Sequence, residues 1–447
     1  MVSDFMMFQE IKNKLIYSAS LIFNAQPLEY FSDTDCYVFL YNECNEQGVF
    51  SLCEQLKEKF SFDLINSNEI ENNSFRFFKK DRFLVCVGFF RCNNSVRVVI
   101  DGDTALPDFQ PKPVTKRAHT TLWQFEVDHS LIDCGMCYII RTCTGSFFVV
   151  DSAHTYSVND CERIHDFLRA RTPEGEKIHI AGWFITHGHD DHVAQFANYL
   201  DFYMQDTIID KIYMNLIPLN HRDSDNWMFA NKMYDANTRR AIAEHPEIEL
   251  VRLHTGMSFY IDNLRLDALC SHEDVFPADN ANYNDSSIVL MVTAEGSKVL
   301  IPGDAGHEES YVLEERYPEY LKADIVQQAH HCHFGTTERF YELVGAKCVL
   351  FPATQIKFDE TWDIHSTNRK SIEIAEGNYY IASNGTVEID LPYVKGTEKV
   401  HPDATFESFK GVYDLWTYSY TPEYKEKLYN EYLSRGGKPI DEYKNGF

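Results

Sequence analysis

The run Thr186-His187-Gly188-His189-Asp190-Asp191-His192 constrains this chain more than any other feature of it. The stretch before it, Ile178–Ile185, is apolar and β-branched and reads as a buried strand. After it, Val193, Phe196, Ala197 and Leu200 recur at helical spacing. The run therefore sits where a strand ends and a helix begins, the usual place for ligands in layered α/β folds. A His-x-His pair leaving a strand can aim two imidazoles, His187 and His189, at one cation. Asp191 and His192, at the helix start, can serve a second. Imidazole with carboxylate suits zinc, iron or manganese. A hydrated polar loop is the plain alternative, and the partners found downstream argue against it.

Four later segments supply those partners. Val299–Asp304 reads as a buried strand ending in Gly-Asp. Gly303 allows close approach, and a carboxylate at a strand end, Asp304, can bridge two cations. Asp324–Ala329 is a short strand leading into His330-His331-Cys332-His333, one of which can close a second site. One strand before Asp304, Asn282-Tyr283-Asn284-Asp285-Ser286-Ser287 precedes the strand Ile288–Thr293. Finally Asp363-Ile364-His365-Ser366 precedes a helix, Asn368–Glu376, ended by Gly377 and followed by the strand Tyr379–Ala382. Taken singly, each is an ordinary turn. Taken in order, Asp304 and the histidines from His330, each at a strand end, form a coherent set with the first run.

This order and spacing resembles the metallo-β-lactamase fold superfamily over roughly residues 120–392. Within it, Asn284-Asp285-Ser286-Ser287, Pro302-Gly303-Asp304, His330-His331 and the late His365 resemble the hydrolase domain of DNA-uptake competence proteins (ComEC type) and its soluble relatives. The resemblance implies an α/β fold, an αββα sandwich, and a hydrolase using a metal-activated hydroxide. It assigns metal binding to His187, His189, Asp191, His192, Asp304 and His330, with His330 preferred over His331 as nearer the strand end. Asp151 becomes an orienting residue behind the ligands. Asp191, Asp304, His331 and His365 become the catalytic set, His331 or His365 giving a proton to the leaving group or binding an oxygen. Two zinc ions are implied, with manganese or iron as alternatives. The departure from the superfamily is at Asn284, where a third histidine is usual. Asn284 or water then completes the site of His187 and His189, and His272 is the upstream substitute. By the same resemblance the substrate is a phosphodiester. A carboxylic ester, lactone or thioester is the second reading, and a metal-stabilised binding or scaffold protein without turnover the third.

The rest of the 447-residue chain frames that region. Residues 1–115 read as a small α+β unit: strands at Tyr37–Tyr41, Phe62–Ile65, Phe75–Phe78, Phe83–Phe90 and Val96–Ile100, a helical stripe from Val49 to Phe60, and no ligand cluster. Pro107, Pro111 and Pro113 mark a linker. Residues 116–395 form the hydrolase unit, opening with a strand at Trp123–Val127 and a hairpin about Thr144-Gly145 that ends in Asp151. Residues 396–447 are a tail with one helix, capped by Thr421 and Pro422 and stopped by Gly436-Gly437. The net charge of −27 opposes nonspecific binding to nucleic acid and favours a small or end-accessible substrate. Arg239-Arg240 and Arg369-Lys370 are the candidate basic patches against that trend. No stretch approaches the ~20 apolar residues of a membrane span. The N-terminus lacks a basic-then-apolar pattern. The 12 scattered cysteines then read as reduced thiols of a cytoplasmic protein, and Cys134-x-x-Cys137 lacks the second pair of a zinc finger.

Overall fold

A computed structural model describes residues 2–33, 35–102, 104–127, 135–154, 158–217, 228–275 and 283–402, with isolated positions between 413 and 434. The N-terminal part opens with a helix, α1 (Val2–Phe23), that the sequence pattern did not single out. Six antiparallel strands follow: β1 (Leu28–Asp33), β2 (Cys36–Tyr41), β3 (Asp63–Ile70), β4 (Asn73–Lys80), β5 (Phe83–Phe90) and β6 (Ser95–Asp101), in the order β1-β2-β6-β5-β4-β3. Helix α2 (Glu46–Glu58) lies between β2 and β3, and Asn45 caps it by accepting from Gly48 N. One face of the sheet, with Val85, Val87, Val98 and Ile100, packs on Leu15 and Ala19 of α1 and Leu52 and Leu56 of α2. The other, with Val38, Phe75, Leu84 and Val99, joins the core of the main body. A sheet covered on both faces explains why β5 reads as an unbroken apolar run rather than an alternating one.

The main body is an αββα sandwich. Its first sheet takes β7 (Thr121–Gln124), β8 (Tyr138–Arg141), β9 (Phe147–Val150), β10 (Ile178–Phe184), β11 (Thr207–Ile209), β12 (Lys211–Met214) and β13 (Glu249–Arg252). The second takes β14 (Ser258–Ile261), β15 (Leu264–Cys270), β16 (Val289–Ala294), β17 (Ser297–Ile301), β18 (Ile325–Gln327), β19 (Cys348–Phe351) and β20 (Tyr379–Ile381), hydrogen-bonded in chain order. The chain then returns to the first sheet with β21 (Thr386–Asp390), beside β7, and β22 (Lys399–His401). Helices α3 (Val158–Arg169), α4 (Asp190–Tyr203) and α5 (Met228–Ala243) follow strands of the first sheet. Alternation along β9 sends Phe147 and Val149 toward the core shared with α3–α5, and Phe148 and Val150 toward the second sheet. Beyond the second sheet lie α7 (His307–Arg316), α8 (Glu338–Val344) and α10 (Ser366–Ile374), after the short α6 (His272–Val275) and with α9 (Gln355–Thr361) between. Each buried aliphatic or aromatic side chain contributes about 1.5–3 kcal/mol, so the two continuous cores hold the strand ends in fixed register.

The expected hairpin, strands and helices of the body are present, with boundaries shifted by a few residues. The proline segment is packed rather than free: Phe109 stacks on Phe77 at 5.5 Å, and Asp108 O accepts from Tyr260 N. In the tail, Glu423, Glu426, Lys427, Asn430, Leu433 and Ser434 are helical, while Thr421, Pro422 and Gly436-Gly437 lie outside the described residues. Cys134 and Asn282 do too. No described cysteine is in a disulfide, and among the described residues no helix is long and apolar enough to cross a membrane.

Buried charges tie the N-terminal sheet to the body. Asp274 of α6 bridges Arg97 of β6 and Arg316 of α7, each at 2.5 Å, and accepts from Ser271 N and Thr255 Oγ1. Burial alone would raise its pKa, but the two guanidiniums hold it down at about 2. Beside it, His254 is clamped between Asp101 (3.0 Å) and Glu273 (2.8 Å), with Arg252 on Asp101 at 2.7 Å. His272 belongs to this junction, on Tyr30 and Asn215, and does not take the place of the missing third histidine.

Two outcomes follow from these contacts. Asp274→Ala strands Arg97 and Arg316 in the core, and urea unfolding should show a loss of about 3–5 kcal/mol; an unchanged midpoint would show that the bridge is not needed. For His254, the burial that lowers its pKa is overcome by Glu273 and Asp101, which bring it to about 9. A raised folded pKa means its contribution is complete below about pH 6.5 and is lost as pH rises through about 9. Stability measured from pH 6.5 to 9.5 should fall in wild type and stay level across that window in His254→Gln.

Candidate metal centre

Two sets of ligand atoms converge at the ends of β10, β17 and β18. His187, His189 and Asp304 form one; Asp191, His192, Asp304 and His331 form the other. Asp304 belongs to both. Its Oδ2 lies 3.8 Å from His187 Nε2, and its Oδ1 lies 3.3 Å from His192 Nε2 and 3.4 Å from His331 Nε2. Asp191 Oδ2 is 3.1 Å from His331 Nε2, which in turn is 3.1 Å from His192 Nε2. The set is buried except for the partly exposed His189.

The chain positions these groups by fixing the far side of each ring. Asp151, at the end of β9, accepts from Thr186 N (2.8 Å), Thr186 Oγ1 (2.8 Å) and His192 Nδ1 (2.7 Å). The single hydroxyl proton of Thr186 is thereby used, so its oxygen accepts from His187 Nδ1 at 3.1 Å. His331 Nδ1 donates to Pro352 O at 2.6 Å. His187, His192 and His331 thus carry the proton on Nδ1 and turn Nε2 inward, the tautomer a metal ligand needs. Asp304 is held by its backbone N–H, which donates to Ser287 Oγ at 3.0 Å. Gly303 before it has φ +61°, and a Cβ there would stand 3.0 Å from that same Ser287 oxygen.

The electrostatics favour a cation at this place. Burial, together with the imidazoles of His192 and His189, drives the pKa of His187 well below the usual range. Burial also opposes charge on His192, Asp191 and Asp304, yet their mutual attraction wins: His192 is held well above its ordinary value and both carboxylates well below theirs. Buried in the middle, His187 Nε2 and Asp304 Oδ1 have no hydrogen-bond partner. Such orphaned atoms are costly unless a ligand answers them, so the donor set fits divalent metal. Cys36, Asp101 and His254 also converge, a grouping the sequence did not suggest. There, however, both His254 nitrogens are engaged by carboxylates and Arg252 neutralises Asp101, which makes it a structural bridge.

Of the two adjacent histidines, His331 and not His330, the one preferred from the sequence, stands in the ligand set. Residues 330–332 all have positive φ (52°, 49° and 70°), so the chain coils after β18 and delivers His331 inward. His330 is left at the rim, donating from Nδ1 to Phe334 O (2.9 Å) and accepting from Asn284 Nδ2 at Nε2 (3.1 Å). Asn284 accordingly turns to His330 and joins neither ligand set. His365, the residue before α10, is half-buried beside Phe334 and lies outside both sets. Tyr283, which sequence reasoning passed over, stacks flat on His189 with ring centres 4.8 Å apart; its adjacency to Asn284 was the one signal available. The basic pairs are engaged: Arg239 with Asp235, Arg240 with Asp201 and Glu244, Lys370 with Glu342, and Arg369 with Trp362 O.

Residues 135–339 match the family profile described as the Metallo-beta-lactamase superfamily, a span that contains both ligand sets. That span has the fold of that superfamily. No curated protein matches it. Among solved structures it is similar to the metallo-beta-lactamase fold protein YhfI from Bacillus subtilis, at 13% identity and TM-score 0.36 over 60% of this chain and 99% of that one. It is similar to the short form of human tRNase Z at 13% identity and TM-score 0.32, over 51% of this chain and 90% of that one. It is also similar to CmlA, a diiron beta-hydroxylase from Streptomyces venezuelae, at 13% identity and TM-score 0.32, over 63% of this chain and 55% of that one.

The two adjacent histidines give a direct test of the ligand assignment. Elemental mass spectrometry of the purified protein should show His331→Ala losing bound metal while His330→Ala retains it. The opposite result would restore the assignment suggested by sequence alone.

Proposed function

We propose that this chain is a metal-dependent hydrolase and that its favoured substrate is a phosphodiester. The observation that carries the first half is the shared carboxylate of Asp304, with one oxygen toward each ligand set and inward-turned imidazoles around it. His187, His189 and Asp304 would hold one cation; Asp191, His192, Asp304 and His331 the second. Zinc suits this histidine-rich set, with manganese and iron as alternatives. When bound, a pair of such cations supplies Lewis acidity at phosphorus or carbonyl carbon and acidifies water into the nucleophile.

The chain's own residues do the rest. Asp151, Thr186 and Pro352 O keep the rings in their productive tautomers, and burial keeps bulk water from competing with developing charge. His331 has its N–H committed to Pro352, so it holds metal and has no proton to give. Proton delivery to a leaving group therefore falls to the rim, where His365 is half-exposed. Burial and the nearby His330 and Lys357 lower its pKa, which keeps it neutral at pH 7 with one N–H to offer.

The preference for phosphodiester rests on the competence-type pattern of Asn284-Asp285-Ser286-Ser287, Pro302-Gly303-Asp304 and His365. A small or end-accessible substrate agrees with the charge of −27. One observation favours the scaffold reading: the set around His187 has three donors rather than four.

Zinc-loaded protein assayed on bis(4-nitrophenyl) phosphate and on an acyl thioester should turn over the phosphodiester, and Asp304→Ala should bring that rate to background. Turnover of the thioester alone would move the substrate class. Full activity in Asp304→Ala would refute the mechanism, and a metal-replete protein inert on both substrates would favour the scaffold.

A further inference from the structure

We propose that the rim of the metal centre carries a stacking platform for a planar aromatic group of the substrate, a nucleobase or aryl ring next to the scissile phosphodiester. It is built from Phe334 with His307 and His365 at its edges, and it rests on the phosphodiesterase reading above. Phe334 follows His331 by three residues and His307 follows Asp304 by three, so both elements that deliver ligands inward continue directly into this rim. Phe334 is 64% exposed. A lone exposed apolar side chain needs no explanation, but this one is held in a row of rings. His307 lies 4.4 Å from it and His365 5.8 Å, and Tyr311, 55% exposed and one turn along α7, lies 6.3 Å from His307.

The backbone under Phe334 is pinned. Its carbonyl accepts from His330 Nδ1, and the following Gly335 sits so close that a Cβ would stand 3.1 Å from Ala329 Cβ. The backbone that carries the ring is therefore fixed before binding, which lowers the ordering cost. Tyr283 already covers His189 and is itself buried, whereas Phe334 is the most exposed of the rings named here. Recognition by stacking also suits a chain whose strong negative charge opposes holding an anionic substrate by its phosphates. Imidazole edges beside the ring offer hydrogen-bonding groups to the edge of a base.

The test compares thymidine 5′-(4-nitrophenyl phosphate) with methyl 4-nitrophenyl phosphate. These share the scissile bond and leaving group and differ in the base. With the zinc-loaded full chain, wild type should prefer the nucleoside ester in kcat/KM. That ratio should fall roughly ten-fold in Phe334→Ala and be restored in Phe334→Trp, given the size of base–aromatic stacking effects. A ratio unmoved by Phe334→Ala, or lost equally in Phe334→Trp, overturns the platform. Calorimetric titration with thymidine 5′-monophosphate reads the platform apart from turnover. If neither diester is hydrolysed, the phosphodiesterase reading fails. Binding that weakens in Phe334→Ala and returns in Phe334→Trp still upholds the platform, and binding that is absent or equal in all three proteins rejects it.

Discussion

The contact on which the site depends is the carboxylate of Asp151 on Thr186 and His192. It is fully buried, and burial pushes its pKa up. Three donors converge on its two oxygens and oppose that shift. Through them it joins the end of β9 to the loop that follows β10 and sets the tautomer of His192 directly. By taking the hydroxyl proton of Thr186 it sets that of His187 as well. One side chain thus aims an imidazole at each ligand set. The sandwich exists to keep β9 and β10 adjacent, with Val150 beside Phe184 in parallel register, so that this contact can form without searching.

How much of this could be read from the sequence depends on whether the deciding force was local. The ligand run at 186–192 was legible because strand, ligands and helix are contiguous and each has its own period. Asp304 was legible because Gly303 announces a tight turn. The choice between His330 and His331 was not, because three consecutive non-glycine residues adopt positive φ and nothing in their identities demands it. That strain is maintained by contacts elsewhere: Tyr341 Oη with Ala329 N, Asn368 with Cys332 O, Pro352 with His331. Helix α1 was obscured for another reason. Phe8, Leu15 and Ala19 point inward, but Met6, Tyr17 and Leu21 stay exposed, so apolar residues on both faces erased the amphipathic period.

The junction between the N-terminal sheet and the body was equally hidden, since beside its apolar seam it joins residues 97, 101, 254, 274 and 316, far apart in sequence, through ion pairs. Its location gives it meaning. Glu273 and Asp274 stand between the end of β15 and the segment that leads to Tyr283 and Asn284. Arg316 closes the helix that begins at His307. The charges that dock the N-terminal sheet therefore also hold the far end of the helix that begins at His307.

Two buried clusters in one molecule show what separates a metal centre from a structural bridge. Both bring a histidine and carboxylates within reach of a cation, and residue type alone does not divide them. Around His254 each nitrogen meets a carboxylate and an arginine balances the excess charge, so a cation entering would have to displace a proton and compete with a guanidinium. Around Asp304 the Nδ1 protons of His187, His192 and His331 are drawn outward by Thr186, Asp151 and Pro352. His187 Nε2 and Asp304 Oδ1 are left facing a common centre with no hydrogen-bond partner. Buried polar atoms are seldom abandoned in this way. Those orphaned atoms, more than the histidine-rich sequence, mark where a metal belongs.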